Sequence, residues 1–228
     1  MFGVTIGDKH SYSDFGILMS SKVISPPEPK INKVSIPLRD GSIDLTESLT
    51  DDVKFEERKI TITCKVIDPI EQWNSKVSEI SNYLHGKTKK IVFDDDAEFY
   101  YIGRLKVNEW TSNKNIGTLV IEGTVDPYKY DVNGDWLWDS FDFENGCINE
   151  PEEVRVSGTA SVVVVGRRKQ TYPTITASAA MTVQFEGVTY NLAEGVNKIY
   201  DIIIKEGENM LTFTGTGTVV VDYEGGSL

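Results

Sequence analysis

A chain of 228 residues with a formal net charge of -12 has room for one large all-β domain or two small ones, able to bury a core without staples. The charge disfavours binding to a nucleic-acid backbone or an anionic membrane, since both need clustered Lys and Arg. Two cysteines, Cys64 in an alternating stretch and Cys147 in a turn, do not make a disulfide framework.

The first residues lack a basic segment followed by a long apolar one, so no signal peptide is expected. No apolar run reaches the ~18–20 residues of a membrane span. The chain is expected to fold in the cytoplasm of the cell that makes it.

Residues 18–24 form an apolar, strand-like run. In Ile36-Pro-Leu-Arg-Asp-Gly-Ser-Ile-Asp-Leu-Thr-Glu47, Arg39-Asp40-Gly41 reads as a tight polar turn, with Gly free to take positive φ. Ile43 and Leu45 then alternate with Asp44 and Thr46, as in a half-buried strand. Ile60, Ile62, Cys64 and Val66 alternate in the same way. The spacing predicts a helix over about 69–85. Asp68 suits the N-cap, Pro69 the first position and Glu71 a capping box. Trp73, Val77, Ile80 and Leu84 form one apolar stripe in need of a sheet, and Gly86 suits a left-handed cap. Asp94-Asp95-Asp96 lies between Ile91-Val92-Phe93 and Phe99-Tyr100-Tyr101. Clustered carboxylates can act as acid and base, but the placement fits turn carboxylates better. Residues 99–110 are extended, Asn113 to Gly117 turns them back, and 119–125 alternate until Asp126-Pro127 breaks the strand.

Residues 128–138 read as a linker. Beyond Asp139, strands are expected at 161–165, 181–186, 198–204, 210–214 and 218–223. Turns are expected at Gly166, Glu186-Gly187, Glu194-Gly195, Glu206-Gly207 and Gly215-Thr-Gly217, and Gly225-Gly226 reads as a frayed end. Regular short strands without an amphipathic helix suggest a second β-sandwich.

Asp131, Asn133, Asp135, Asp139 and Asp142 fall at positions 1, 3, 5, 9 and 12 of a calcium loop. Trp136 occupies the position where that loop turns on Gly, so an acidic linker with solvated carboxylates is expected and no metal or other cofactor. Arg167-Arg168-Lys169 reads as a solvated hairpin tip. No nucleophile elbow, phosphate-binding loop or zinc-protease motif is present, and His10 and His85 lie in a turn and at a helix end. A hydrolase is the weakest of the readings.

Several segments together resemble the distal tail proteins of long, non-contractile phage tails. They are Phe15-Gly16 and the strand after it, Pro26-Pro27-Glu28-Pro29, Ile36 through Glu47, and Asp126-Pro127-Tyr128-Lys129-Tyr130. In the second half they are Tyr172-Pro173-Thr174-Ile175 and Glu206 through Gly215. Leu38 departs from the family, which usually has Gly there, and a Leu is expected to avoid positive φ.

The resemblance implies a mainly β fold. A tail-tube-like β-sandwich with one α-helix would span residues 1–130, and a galectin-like β-sandwich 131–228. It implies a virion tail-tip protein of a phage or prophage, not an enzyme: a homo-hexameric hub joining the tail-tube protein to the tail-tip protein, and possible receptor-binding proteins beyond it. Such a ring would bind neither duplex DNA stably nor a membrane. Asp40, Asp44 and Asp94 to Asp96 are candidates for an acidic channel wall.

Arg39, Asp40 and Asp44 are candidates for subunit contact at the signature loop. The alternative reading is a carbohydrate-binding module for host cell-wall attachment. Exposed aromatics stack on sugar rings, which makes Trp136, Trp138, Tyr172 and Tyr190 the sugar-stacking candidates. Core packing and contact between the domains are the favoured readings for all four, because a lectin-like fold does not entail lectin function.

Overall fold

The computed structural model describes residues 3–48, 52–67, 69–113, 115–132 and 153–228, with backbone only at 141–142 and 147–148. The chain divides into two compact units, Met1–Lys129 and Tyr130–Ser227. Both are mainly β, and the single α-helix among the described residues lies in the first.

The first unit contains β1 (Val4–Ile6), β2 (Lys9–His10), β3 (Ile17–Ile24), β4 (Lys33–Ser35), β5 (Ser42–Asp44), β6 (Arg58–Val66), α1 (Trp73–Leu84), β7 (Thr88–Phe93), β8 (Phe99–Ser112) and β9 (Gly117–Val125). Its main sheet runs β2-β1-β7-β8-β9-β6-β3, with antiparallel neighbours. The alternation read in 60–66 and 119–125 puts Ile60, Ile62, Cys64, Leu119 and Ile121 on the buried face. The Lys22 Nζ on β3 lies 4.2 Å from the Phe93 ring centre on β7, although three strands separate β3 from β7. The sheet is therefore rolled so that its ends approach each other, as a sandwich requires.

Helix α1 buries Trp73, Ile80 and Leu84 in the core, with Val77 half-buried against it. A 3-10 turn, Ile70–Gln72, precedes it without a side-chain cap bond; the expected N-cap, Asp68, lies outside the described residues. The helix ends in a type II turn. His85 has φ -64° and ψ 122°, Gly86 has φ 75°, and the Lys87 N–H donates to the Leu84 carbonyl at 3.0 Å.

Strands β4 and β5 form a separate hairpin, closed by Lys33–Asp44 and Ser35–Ser42 pairs. Its loop spans residues 36–41 and includes Arg39-Asp40-Gly41, where Gly41 takes the expected positive φ of 76°, but the hydrogen-bonded turn is centred just before them. The Arg39 N–H donates to the Ile36 carbonyl at 3.2 Å, so Pro37 and Leu38 are the central residues. Pro fits the second position of a type II turn, and the third demands positive φ. Leu38 supplies it at φ 67°, against the expectation that a Leu would not. Turn geometry overrides the residue's own preference, at a cost of about 1–2 kcal/mol.

The chain continues through β10 (Tyr130–Asp131), β11 (Phe141–Asp142) and β12 (Cys147–Ile148). It then forms β13 (Val154–Gly166), β14 (Thr174–Ala177), β15 (Met181–Phe185), β16 (Val188–Leu192), β17 (Gly195–Lys198) and β18 (Gly207–Asp222). The second unit's sheet runs β16-β15-β18-β14-β17, with β13 along β18.

Strand β18 corrects the expected chain of short strands. The turn expected at Gly215-Thr-Gly217 is uninterrupted strand. Its first half pairs with β15 and its end with β14, while β13 pairs along residues 207–219. Gly215 is there for close approach, since an added Cβ would lie 2.6 Å from the Met181 Cβ. Residues 198–204 are another correction. The strand ends at Lys198, and Ile202 and Ile204 are buried from an irregular loop. Glu186 (φ 47°) and Gly187 (φ 83°) form the expected tight turn between β15 and β16, with positive φ at both centres as a type I′ hairpin needs.

One device occurs twice. In Glu194-Gly-Val-Asn197 and Glu206-Gly-Glu-Asn209, the Asn carboxamide oxygen accepts the backbone N–H four residues earlier, from Ala193 at 2.9 Å and Lys205 at 3.0 Å. The carboxamide NH2 donates back to the same residue's carbonyl, to the Gly carbonyl and to the adjoining strand at Ile175 or Val164. Each Asn ties its turn to the strand beside it.

Candidate interaction surfaces

The β4–β5 hairpin presents apolar side chains to solvent. Val34, Ile36 and Leu45 are exposed, and Leu38 is fully so at 109%. Arg39 and Asp40 are exposed beside it. Asp44 works inside the hairpin: its carboxylate accepts the Thr46 hydroxyl and, at 3.0 Å, the Thr46 N–H. These bonds hold it below the usual carboxylate range. Thr46 Oγ1 in turn accepts the Asn32 N–H at 3.1 Å.

Each carboxylate of the Asp94-Asp95-Asp96 turn has a side-chain nitrogen partner. His10 Nε2 lies 3.3 Å from Asp94, Lys22 pairs with Asp95, and Lys129 Nζ is 2.8 Å from Asp96. Lys22 and Lys129 offset part of the triplet's negative charge. Among the described residues no group of three or more His, Cys, Asp or Glu is placed to hold a metal. A groove of ≈ 500 Å³ on the first unit is lined by Glu57, Thr88, Arg104, Lys106, Glu122 and Asp126. Lys106 and Glu122 pair at 2.9 Å within it. Burial pushes the Cys64 thiol up to about 12, which leaves it protonated and unreactive at neutral pH.

The linker readings need correction where the structure describes them. Asp131 is not solvated: it is 4% exposed and paired with Arg167 at 3.1 Å. Asn133, Asp135 and Asp139 lie outside the described residues. Arg167-Arg168-Lys169 is not a solvated hairpin tip. Arg167 also donates to the Ser227 hydroxyl, and Lys169 pairs with Glu224 at 3.4 Å with its Nζ over the Tyr130 ring. The buried Asp131 carboxylate draws Arg167 inward, while Glu224 and the Tyr130 ring hold Lys169. Gly225 and Gly226 are buried, and the Gly226 carbonyl accepts the Lys169 N–H at 2.9 Å, so this segment is docked and not frayed.

Of the aromatic candidates, Trp136 and Trp138 lie outside the described residues. Tyr190 is half-buried against the second core. Tyr172 is 46% exposed and meets Tyr200, 65% exposed, edge to face with ring centres 5.5 Å apart. Tyr200 was not legible as a partner, because residues 198–204 read as a strand. No described helix is long and apolar enough to cross a membrane.

No family model and no curated protein sequence matches this chain. Among solved structures it is similar to SPP1 Dit (gp 19.1), described as a paradigm of hub adsorption apparatus in phages infecting Gram-positive bacteria. The TM-score is 0.67 at 15% identity, covering 100% of both chains. The chain has the fold of that protein. The likeness bears out the mainly β, one-helix architecture implied by the sequence resemblance.

Proposed function

We propose that this chain is a structural subunit of a phage tail tip: a hexameric distal tail hub that joins the tail tube to the tail-tip protein and, beyond it, to receptor-binding proteins. The likeness to SPP1 Dit over the full length of both chains carries this reading. The exposed hairpin supports it. An apolar residue held in a costly conformation and fully exposed at the tip gains nothing in an isolated chain, and gains burial in a neighbour. Residues 1–130 would form the ring, with Leu38, Arg39 and Asp40 in the subunit contact and Asp44 bracing the hairpin from within.

Head-to-tail contacts of this kind close into a ring when the rotation per subunit divides a full turn. The repeated negative charge would let duplex DNA pass without being held. Light scattering tests the assembly. A mass six times the 25.5 kDa chain, alone or with tail-tube protein, is expected. A single-chain mass at every concentration, unchanged by tail-tube protein, would sink it. Salt-dependent duplex binding at about micromolar affinity or tighter would refute the inert channel.

A further inference from the structure

The second unit carries an exposed face whose chemistry the hub role does not use. In a strand, residues two apart share a face. Ile175 and Ala177 of β14 are buried, so Thr174 and Thr176 point the other way. The register sets Thr174 beside Lys198 of β17 and Asp222 of β18, and sets Thr176 beside Val196 and Val220. The face thus has one rank of Lys198, Thr174 and Asp222 and a second of Val196, Thr176 and Val220. Val196 is 74% exposed. Two residues before Thr174 stands Tyr172, and two after Lys198 stands Tyr200. These are the two exposed tyrosines whose rings meet edge to face, and Lys198 Nζ lies 5.9 Å from the Tyr200 ring centre.

We propose that this face, with Tyr172 and Tyr200 as its stacking platform and Lys198, Thr174 and Asp222 as its polar rank, binds a neutral saccharide. The tyrosine rings offer a negative π-face to the C–H side of a pyranose and keep their hydroxyls wet. Lys198 donates, Asp222 accepts and Thr174 does both. That set serves a row of sugar hydroxyls with charge-assisted hydrogen bonds. The charges of Lys198 and Asp222 cancel, in a chain of net charge -12, so a polyanion is repelled and an uncharged ligand is not.

The face is open, which suits an extended polymer more than an enclosed monosaccharide and implies weak binding per copy. The site stands on the second unit's own surface. It rests on the hub reading only for the multivalency that several copies would add.

The test uses the full chain and neutral probes: oligomers of glucose, galactose and N-acetylglucosamine. Binding is followed by saturation-transfer NMR and titration calorimetry, and the mass of each sample by light scattering. At least one probe is expected to bind with a Kd of about 1 mM. Tyr172→Ala and Tyr200→Ala are each expected to weaken it about tenfold, and Asp222→Asn several-fold. Because these side chains are exposed, melting temperatures are expected to hold, and circular dichroism checks this.

Tyr190→Phe, at the half-buried tyrosine, is expected to leave binding unchanged. The proposal is overturned if no neutral oligomer binds at about 10 mM, or if the tyrosine variants bind as the parent does. It is also overturned if only anionic polymers bind, with affinity fading as salt rises. A ring that binds no neutral oligomer leaves the hub standing and removes the saccharide site; a single-chain mass with tyrosine-dependent binding does the reverse.

Discussion

Two hairpins in this chain use similar backbone devices and meet opposite fates. The β15–β16 hairpin turns on Glu186-Gly187, both at positive φ, and sends Met181, Val183, Phe185 and Leu192 into its own core. The β4–β5 hairpin turns on Pro37-Leu38, with Leu38 also at positive φ, yet Val34, Ile36 and Leu38 remain exposed. In the first, burial offsets the ordering cost of the turn within the same chain. In the second, a short ladder and local bonds such as those of Asp44, Thr46 and Asn32 do so. Local conformation alone does not distinguish a core element from a docking arm; what separates them is whether the side chains two apart meet a partner.

Four substitutions would break or sharpen this contrast. Phe185→Ala removes a core side chain of the anchored hairpin and is expected to cost about 3–5 kcal/mol in denaturant unfolding. A loss below about 1 kcal/mol would mean that hairpin leans on its core no more than the arm does. Gly187→Ala meets no atom within 4 Å, so its cost is conformational alone, about 1–2 kcal/mol.

Leu38→Gly inverts that experiment. Relief of about 1–2 kcal/mol of strain is offset by about 0.5–1 kcal/mol of added freedom in the unfolded chain. The isolated subunit is expected to be as stable as the parent or slightly more so, while the light-scattering mass falls. A destabilised subunit with its assembly intact would reverse the assigned role. Val34→Ser is the smallest effect, under about 0.5 kcal/mol in the single chain. A larger shift in its thermal melt would show that the arm already packs at home.

Periodicity made the first unit readable. The Trp73, Ile80, Leu84 stripe and the alternation of 60–66 and 119–125 each record one side buried and one side wet. The second unit was less legible because its signals serve other purposes. Gly215 and Gly217 read as turn residues, yet they keep a strand smooth where β15 crosses close by. Ser157-Gly-Thr-Ala-Ser161 and Thr174-Ile-Thr-Ala177 pair as strands while carrying too few apolar residues to announce themselves. Ile202 and Ile204 alternate like a strand and fill the core from a loop.

The repeated Glu-Gly-x-Asn at 194–197 and 206–209 was available in the sequence as a signal of two equivalent turns. Of the candidate surfaces, Tyr172 was visible and Tyr200 was not. Nor was the Asp131–Arg167 pair, since partners 36 residues apart leave no local pattern.

Strand β18 has a consequence for biosynthesis. It follows every strand it joins, and Leu211, Phe213, Val219 and Val221 are central to the second core. The ribosome must therefore release residues up to about 222 before that core can close, so β13 to β17 wait as exposed, edge-bearing segments. The first unit has its sheet and helix by residue 125 and can fold while the rest is still being made. The interval between the two events is the period in which a nascent chain is most open to pairing with the wrong neighbour.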